Sequence, residues 1–109
     1  MIEAAPINAV MRALADPTRR AMFERVVMSE EITVVELTRG SSVTQGAVSQ
    51  HLKALKQAGL VIERPEGRKV YYRAQPGGLE PLFDWMSHYG VFWQERFANL
   101  GTLLEEIDP

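Results

Sequence analysis

The spacing of the apolar residues changes at Leu60 from a helical to a strand pattern, and that change restricts the fold more than any other feature. The segment VSQHLKALKQAGLV, residues 48–61, spaces its apolar residues mostly three or four apart, as one face of a helix does. The segment LVIERPEGRKVYYRA, residues 60–74, is instead rich in β-branched and aromatic residues on both sides of a turn at Pro65 and Gly67. The sequence therefore predicts a helix that leads directly into a β-hairpin.

Residues that commonly cap helices stand at several positions before that helix. A first helix is expected over about residues 6–15, and Asp16 then offers a cap for a second helix, with Pro17 in its first turn. Thr33 and Glu36 have the spacing of a capping box, in which the hydroxyl accepts from the Glu36 amide and the carboxylate reaches back. This pattern predicts the start of a short third helix.

Two short helices joined by a tight turn are expected over about residues 33–58. The third helix should end near Ser41, GSSV interrupts the pattern, and Thr44 offers a cap for the fourth helix. With the hairpin at about residues 60–74, this order of elements is a winged helix-turn-helix. We therefore expect a mainly α fold with a small β-hairpin wing, in a single DNA-binding domain over residues 1–109.

A long C-terminal helix is expected over about residues 79–107, where apolar residues recur at steps of three and four. The helix carries more apolar and aromatic surface than one small domain can cover, so a second copy of the chain is the expected cover. The residues expected in this dimer interface are Leu82, Trp85, Met86, Tyr89, Trp93, Phe97, Leu100 and Leu104. A protein partner or a small apolar effector is the alternative occupant of the same surface.

Charge is segregated along the chain although the net charge is only −2. Residues 39–73 carry seven basic and two acidic side chains, a balance of +5, which leaves −7 for the remainder. A positive middle with acidic ends concentrates attraction for phosphates on one face while the whole molecule stays soluble. Chance clustering of charge is the alternative interpretation.

The fourth helix begins with its most polar stretch, TQGAVSQH, and this face is expected to lie in a groove of DNA. Glutamine amides are suited to base edges because they both donate and accept hydrogen bonds, and a helix start favours a phosphate. The residues expected to contact DNA are Thr44, Gln45, Gly46, Ser49, Gln50, His51 and Lys53 on the helix, and Arg64, Arg68 and Lys69 on the wing. The alternatives are an ordinary solvated helix face and, for His51, a half-buried ring bonded to the backbone.

Three segments give the chain a specific resemblance to the ArsR/SmtB family of bacterial winged-helix repressors. These segments are ALADPTRRAMFERV, ELTRGSSVTQGAVSQHLKALKQAGLV and EGRKVYYRA, which match that family in order and spacing and cover about residues 12–74. The resemblance implies a homodimer built from the first and last helices, which binds imperfect inverted repeats in promoters and usually represses. The aromatic last helix resembles a subgroup without well-understood inducers. Ser42 departs from the glycine that many members carry in the turn.

Metal sensing is common in that family, and the sequence limits how it could occur here. The chain has no cysteine, which excludes disulfides and thiolate metal sites within it. Asp84 and His88 lie four residues apart on the last helix and could supply half of a metal site, although a plain hydrogen-bonded pair is the simpler interpretation. We therefore expect no metal or other cofactor, with a metal-responsive repressor of the same fold as the alternative.

The sequence gives little support for a membrane protein or an enzyme. There is no run of roughly 18 apolar residues and no cleavable leader, so a cytoplasmic protein without membrane contact is expected. Ser49 and His51 do not face each other on a helix, and no phosphate loop or carboxylate pair is evident, so we expect no enzyme. The expected partners are double-stranded promoter DNA and a second copy of the chain, while the effector stays unknown. Regulation by a protein partner is the further alternative.

Overall fold

The computed structural model describes residues 6–90, 92 and 94–99. Helices dominate, and the strands form one small antiparallel sheet, which confirms the predicted winged helix-turn-helix. In chain order the elements are α1 (Pro6–Ala15), α2 (Pro17–Met28), β1 (Ile32–Thr33), α3 (Val34–Arg39), α4 (Gln45–Gln57), β2 (Val61–Glu66), β3 (Lys69–Ala74) and α5 (Glu80–Ser87).

The caps of α2 and α3 are the ones that the sequence predicts. Asp16 Oδ1 accepts a hydrogen bond from the Arg19 amide at 3.0 Å, with Pro17 in the first turn of α2. Thr33 Oγ1 accepts from the Glu36 amide at 3.2 Å, and Glu36 Oε1 accepts from the Thr33 amide at 3.0 Å, which completes the capping box. Each cap satisfies amides that the first turn of a helix leaves unpaired.

The end of α3 is fastened by a side chain from α2. The guanidinium of Arg25 donates to the carbonyl oxygens of Leu37 at 2.7 Å and Glu36 at 3.1 Å. A Cβ on Gly40 would lie 2.5 Å from Arg25 Nη1, so a side chain at this position would displace the guanidinium. The third helix consequently ends at Arg39, two residues before the predicted end.

The hairpin of β2 and β3 is joined by a third strand that the sequence does not reveal. In the hairpin, Glu66 pairs with Lys69 across a two-residue loop in which Gly67 has a φ of 63°. Ile32 in β1 pairs with Tyr72 in β3, so the sheet order is β1-β3-β2. A strand of two residues is too short to show an alternating pattern, which explains why it was not predicted.

The inward face of α4 lies at the centre of the core. Val48, Leu52 and Leu55 are each 0% exposed, as is Leu60 in the connection to the wing. Burial of such a side chain stabilises the fold by about 1.5–3 kcal/mol. These contacts fix which face of α4 remains outside.

The continuous helix predicted over residues 79–107 is interrupted after Ser87, and its residues 91, 93 and 100–107 lie outside the described residues. The helix α5 ends at Ser87, residues 88 and 89 form a turn, and helical residues follow at 90, 92 and 94–99. The Ser87 hydroxyl donates to the Phe83 carbonyl at 2.9 Å, and His88 Nδ1 lies 2.8 Å from the Asp84 carbonyl. These side chains compete for carbonyls that a continuing helix uses, and Gly90 has low helix propensity.

Candidate DNA-binding surface

The outer face of α4 is polar and accessible, as the sequence predicts. Gln45, Ser49, Gln50 and Lys53 are exposed, whereas Val48 and Leu52 between them are buried. Short and amide side chains dominate this face, and a lysine stands one turn further on. The helix therefore presents hydrogen-bonding groups toward any ligand that lies along it.

The start of α4 has room for close approach. Thr44 Oγ1 caps the helix by accepting from the Ala47 amide at 3.1 Å, which leaves the hydroxyl proton free to donate. A Cβ on Gly46 would meet only Thr44 Oγ1, at 3.9 Å, so the fold itself does not require glycine there. Because Gly46 has no side chain, it leaves space at the start of α4 for the sugar-phosphate backbone of a bound nucleic acid.

A groove of about 690 Å³ joins the start of α4 to α3 and the wing. Its wall includes Gln45 from α4, Arg39 from α3, and Arg68 and Lys69 from the wing tip. Arg39 belongs to the positive segment of residues 39–73, but no local sequence pattern places it beside the start of α4. The groove combines amide groups and positive charge within one concave surface.

Glu36 lies beside these cations at the groove. The Thr33 backbone amide, with smaller effects from the Thr33 hydroxyl and the charges of Lys69 and Arg39, lowers the pKa of Glu36 below its usual value. The carboxylate consequently stays ionised as part of the capping box. Its charge offsets part of the positive potential at this wall of the groove.

Arg64 is held by the protein's own carboxylates. Its Nε and Nη2 each lie 2.7 Å from an oxygen of Glu31, Nη1 lies 3.3 Å from Glu66, and the guanidinium stands 4.8 Å from the Tyr71 ring centre. The Glu31 carboxylate raises the pKa of Arg64, and the guanidinium in turn lowers the pKa of Glu31. A phosphate contact from Arg64 stays a prediction, since a phosphate would have to displace these partners.

His51 is half-buried, and its partner is a side chain rather than the backbone. Arg19 Nε on α2 donates to His51 Nδ1 at 3.3 Å. Further along α4, Lys56 forms an ion pair with Glu63, whose other oxygen accepts from the Tyr72 hydroxyl at 3.3 Å. Lys56 is thereby part of the contact between α4 and the wing.

The predicted dimer residues of the last helix divide into three groups. Leu82 packs against the chain's own core. Exposed fractions are 42% for Trp85, 46% for Met86, 48% for Tyr89 and 59% for Phe97. Trp93, Leu100 and Leu104 lie outside the described residues.

Phe83, which the predicted interface omits, is 68% exposed. It stands on α5, which packs against α1, and Met11 of α1 is also exposed. The repeating pattern of the sequence could not separate Leu82 from Phe83, because both fit a broad apolar face. Exposed apolar side chains thus stand on both the first helix and α5, which pack against each other.

Asp84 and His88 do not form the side-chain pair considered from the sequence. His88 Nδ1 contacts the backbone carbonyl of Asp84 instead. Over residues 6–90, 92 and 94–99, no three acidic or histidine side chains come together as a metal site would require. Within the same ranges, no helix has the length and hydropathy needed to cross a membrane.

Comparisons with known proteins agree with this architecture. A helix-turn-helix domain model matches residues 14–64. The HTH-type transcriptional regulator Rv2034 of Mycobacterium tuberculosis is 40% identical over 86% of this chain and 84% of its own. An ArsR-like transcriptional regulator from Rhodococcus sp. RHA1 matches in structure with a TM-score of 0.72 and 27% identity, over 91% of this chain and 92% of its own.

A second solved structure is the homodimeric winged helix-turn-helix DNA-binding domain Mb0332 of Mycobacterium bovis, described as a possible ArsR-family transcriptional regulator. It has a TM-score of 0.63 and 27% identity, over 78% of each chain. The observed fold agrees with these similarities. The chain belongs to the ArsR family of winged helix-turn-helix, DNA-binding transcriptional regulators.

Proposed function

We propose that this regulator is a cytoplasmic homodimeric repressor that binds an inverted-repeat operator in promoter DNA. The observation that carries the proposal is the groove in which Gln45, Arg39, Arg68 and Lys69 meet. Sequence-specific binding needs base-reading groups and phosphate contacts on one surface. A glutamine and three cations along one groove support the proposal. Repression is the usual action of the family that the sequence resembles.

Base recognition is assigned to Gln45, Ser49 and Gln50 on the exposed face of α4. A glutamine amide presents a donor and an acceptor together, which matches the major-groove edge of adenine. A serine hydroxyl accepts or donates according to the base it meets. The recognition helix therefore supplies sequence preference, and the remainder of the surface supplies affinity.

Phosphate binding is assigned to Thr44, Lys53, Arg68 and Lys69, with Arg39 added from the geometry of the groove. Phosphate contacts fix the position of the protein on the duplex, and each neutralised phosphate releases counterions. A wing tip with two adjacent cations follows the DNA backbone or reaches a narrow minor groove. Binding should consequently weaken steeply as salt rises.

Dimer formation is assigned to the exposed apolar surface of α1 and α5. Phe83, Trp85 and Met86 are 42–68% exposed on α5, and neighbouring exposed apolar side chains commonly mark interaction sites. A second copy is the chosen occupant because the similar Mycobacterium bovis domain is described as homodimeric. Twofold symmetry then places two recognition helices about one DNA turn, or ~34 Å, apart.

Selection from a library of random duplexes tests this function. The wild-type protein should enrich an inverted repeat whose half-sites lie about 10–10.5 base pairs apart, centre to centre. Gln50→Ala should relax the preference at one base pair of each half-site while leaving the spacing unchanged. Lys56→Ala is the matched control on α4, because Lys56 contacts Glu63 rather than the proposed DNA face. An enriched set without repeat symmetry, or no enrichment, would contradict the proposal.

A further inference from the structure

Arg19 connects three helices through one side chain. It stands on α2, where the Asp16 carboxylate accepts from its backbone amide at 3.0 Å. Its Nη1 donates to the Ala13 carbonyl of α1 at 3.4 Å, and its Nε donates to His51 Nδ1 of α4 at 3.3 Å. The guanidinium therefore lies between the first helix and the recognition helix.

This contact determines which nitrogen of His51 carries the proton. An arginine guanidinium only donates hydrogen bonds, so the nitrogen facing it must offer a lone pair. A neutral His51 ring in this contact therefore carries its proton on Nε2. Because Nδ1 is already engaged by Arg19, Nε2–H is the ring donor left for an external acceptor.

The position of His51 suits a phosphate rather than a base. It follows Ser49 and Gln50, which are fully on the exposed face, and is itself half-buried on the side of α4 that meets α2. A residue on this flank faces the edge of a DNA groove, where the backbone runs, when the exposed face lies in the groove. A neutral N–H group is an ordinary donor to a phosphate oxygen there.

We propose that Arg19 is a positioning residue for DNA binding, which orients the His51 ring and fixes its proton on Nε2 so that Nε2–H donates to a DNA phosphate. The inference rests on the proposed function. Arg19 itself needs no contact with DNA. It also links the recognition helix to α1, on which the proposed dimer surface lies.

Nitrogen NMR of ¹⁵N-histidine-labelled protein tests the tautomer directly, at a mildly alkaline pH where imidazoles are neutral. His51 should show Nε2–H, whereas His88 should show Nδ1–H because its Nδ1 faces the Asp84 carbonyl, which can only accept. Arg19→Met should give His51 a mixture of tautomers and leave His88 unchanged. Nδ1–H on His51 in the wild type would overturn the proposal, and this result does not depend on any variant folding.

Arg20→Met is the matched control for Arg19→Met. Arg20 is the next residue of α2, carries the same charge and donates to a carbonyl near the end of α1, that of Leu14, at 2.8 Å. It is bonded to α1 without the contact to His51. Arg20→Met should therefore leave both histidine tautomers as they are in the wild type, and an equal effect of the two variants on His51 would overturn the proposal.

A double-mutant cycle of DNA binding separates positioning from general structural loss. Arg19→Met should weaken binding to the selected operator about tenfold, and Arg20→Met less than about threefold. In a His51→Gln background, Arg19→Met should cost less than about twofold, because its partner is already gone. Equal costs in both backgrounds, with normal binding by the wild type and Arg20→Met, would overturn this inference alone. Failure of the wild type to bind any duplex specifically would overturn the proposed function as well.

Discussion

Single residues set how closely the helices of this domain approach, and Gly40 is the clearest case. Its backbone lies against the Arg25 guanidinium, which in turn binds the Leu37 and Glu36 carbonyls. A side chain at Gly40 would therefore disturb the contact between α2 and the end of α3.

Gly40→Ala should lower the free energy of unfolding by about 1–3 kcal/mol, because the new methyl displaces Arg25 from carbonyls that then lose their partners. Urea denaturation measures the change. Gly46→Ala is the control, since its Cβ meets only Thr44 Oγ1 at 3.9 Å. It should leave stability unchanged or raise it by up to about 1 kcal/mol. Equal losses in the two variants would show that the Arg25 contact is unimportant.

Local residue patterns predicted much of the fold because their effects act within one turn of helix. Asp16 and Thr33 each cap a helix through an amide three residues away, so the sequence alone was sufficient. Arg19 and His51 are 32 residues apart, and Arg64 and Glu31 are 33 apart. No local pattern reveals such pairs, since only the packed fold brings them together.

At the scale of the element, the start of α3 should respond to acid. The Thr33 amide and hydroxyl lower the pKa of Glu36, so this carboxylate stabilises the fold when ionised. That contribution is present above the ordinary glutamate pKa of about 4.3, and it is lost as the pH falls through the lower folded value. Thermal unfolding from about pH 6 to about pH 3 should therefore show a smaller loss of stability for Glu36→Gln than for the wild type.

Thr33→Ser is the control for that experiment, because it keeps the hydroxyl and the amide that hold the carboxylate. It should follow the acid dependence of the wild type. Asp16, Glu31 and Glu63 also have lowered pKa values, so the wild type will lose stability in acid for several reasons. If the wild type and Glu36→Gln lost the same amount of stability as the pH falls, the proposed contribution of the ionised Glu36 would be contradicted.

The two arginines of the wing stand in different surroundings, so their replacement should affect DNA binding differently. Arg68 is exposed at the tip, whereas Arg64 is bound by Glu31 and Glu66. Arg68→Met should reduce the slope of log binding constant against log salt by about 1.8 for the dimer, because each protomer loses one phosphate contact worth about 0.9. Arg64→Met should change the slope less, because Glu31 and Glu66 already neutralise the charge of Arg64. A larger change for Arg64→Met would show that DNA displaces the carboxylates.

At the scale of the whole molecule, the apolar surface of α5 should control assembly. Phe83→Glu places a charge on the most exposed apolar side chain of α5 and should convert a dimer into a folded monomer. Sedimentation equilibrium measures the change in mass. Met28→Glu is the control because Met28 is 85% exposed on α2, away from α5, and it should leave the dimer intact. A wild-type monomer, or a dimeric Phe83→Glu variant, would contradict the assigned interface.

The last helix is interrupted after Ser87. The regular apolar spacing predicted a continuous helix, but Ser87 and His88 bond to carbonyls of the preceding turn. A hydrophobic pattern reports which face is apolar and does not report such competing bonds. The same pattern could not assign Leu82 to the core and Phe83 to the outer surface.

The most direct test of the central claim is equilibrium binding of the wild type and a Gln45→Ala, Gln50→Ala double variant to the selected operator and to a scrambled duplex. The wild type should prefer the operator by at least about a thousandfold, with affinity that falls steeply as salt rises. The double variant should lose most of this preference and keep its salt-dependent binding to both duplexes. A double variant that still prefers the operator like the wild type would show that this face of α4 does not read the DNA.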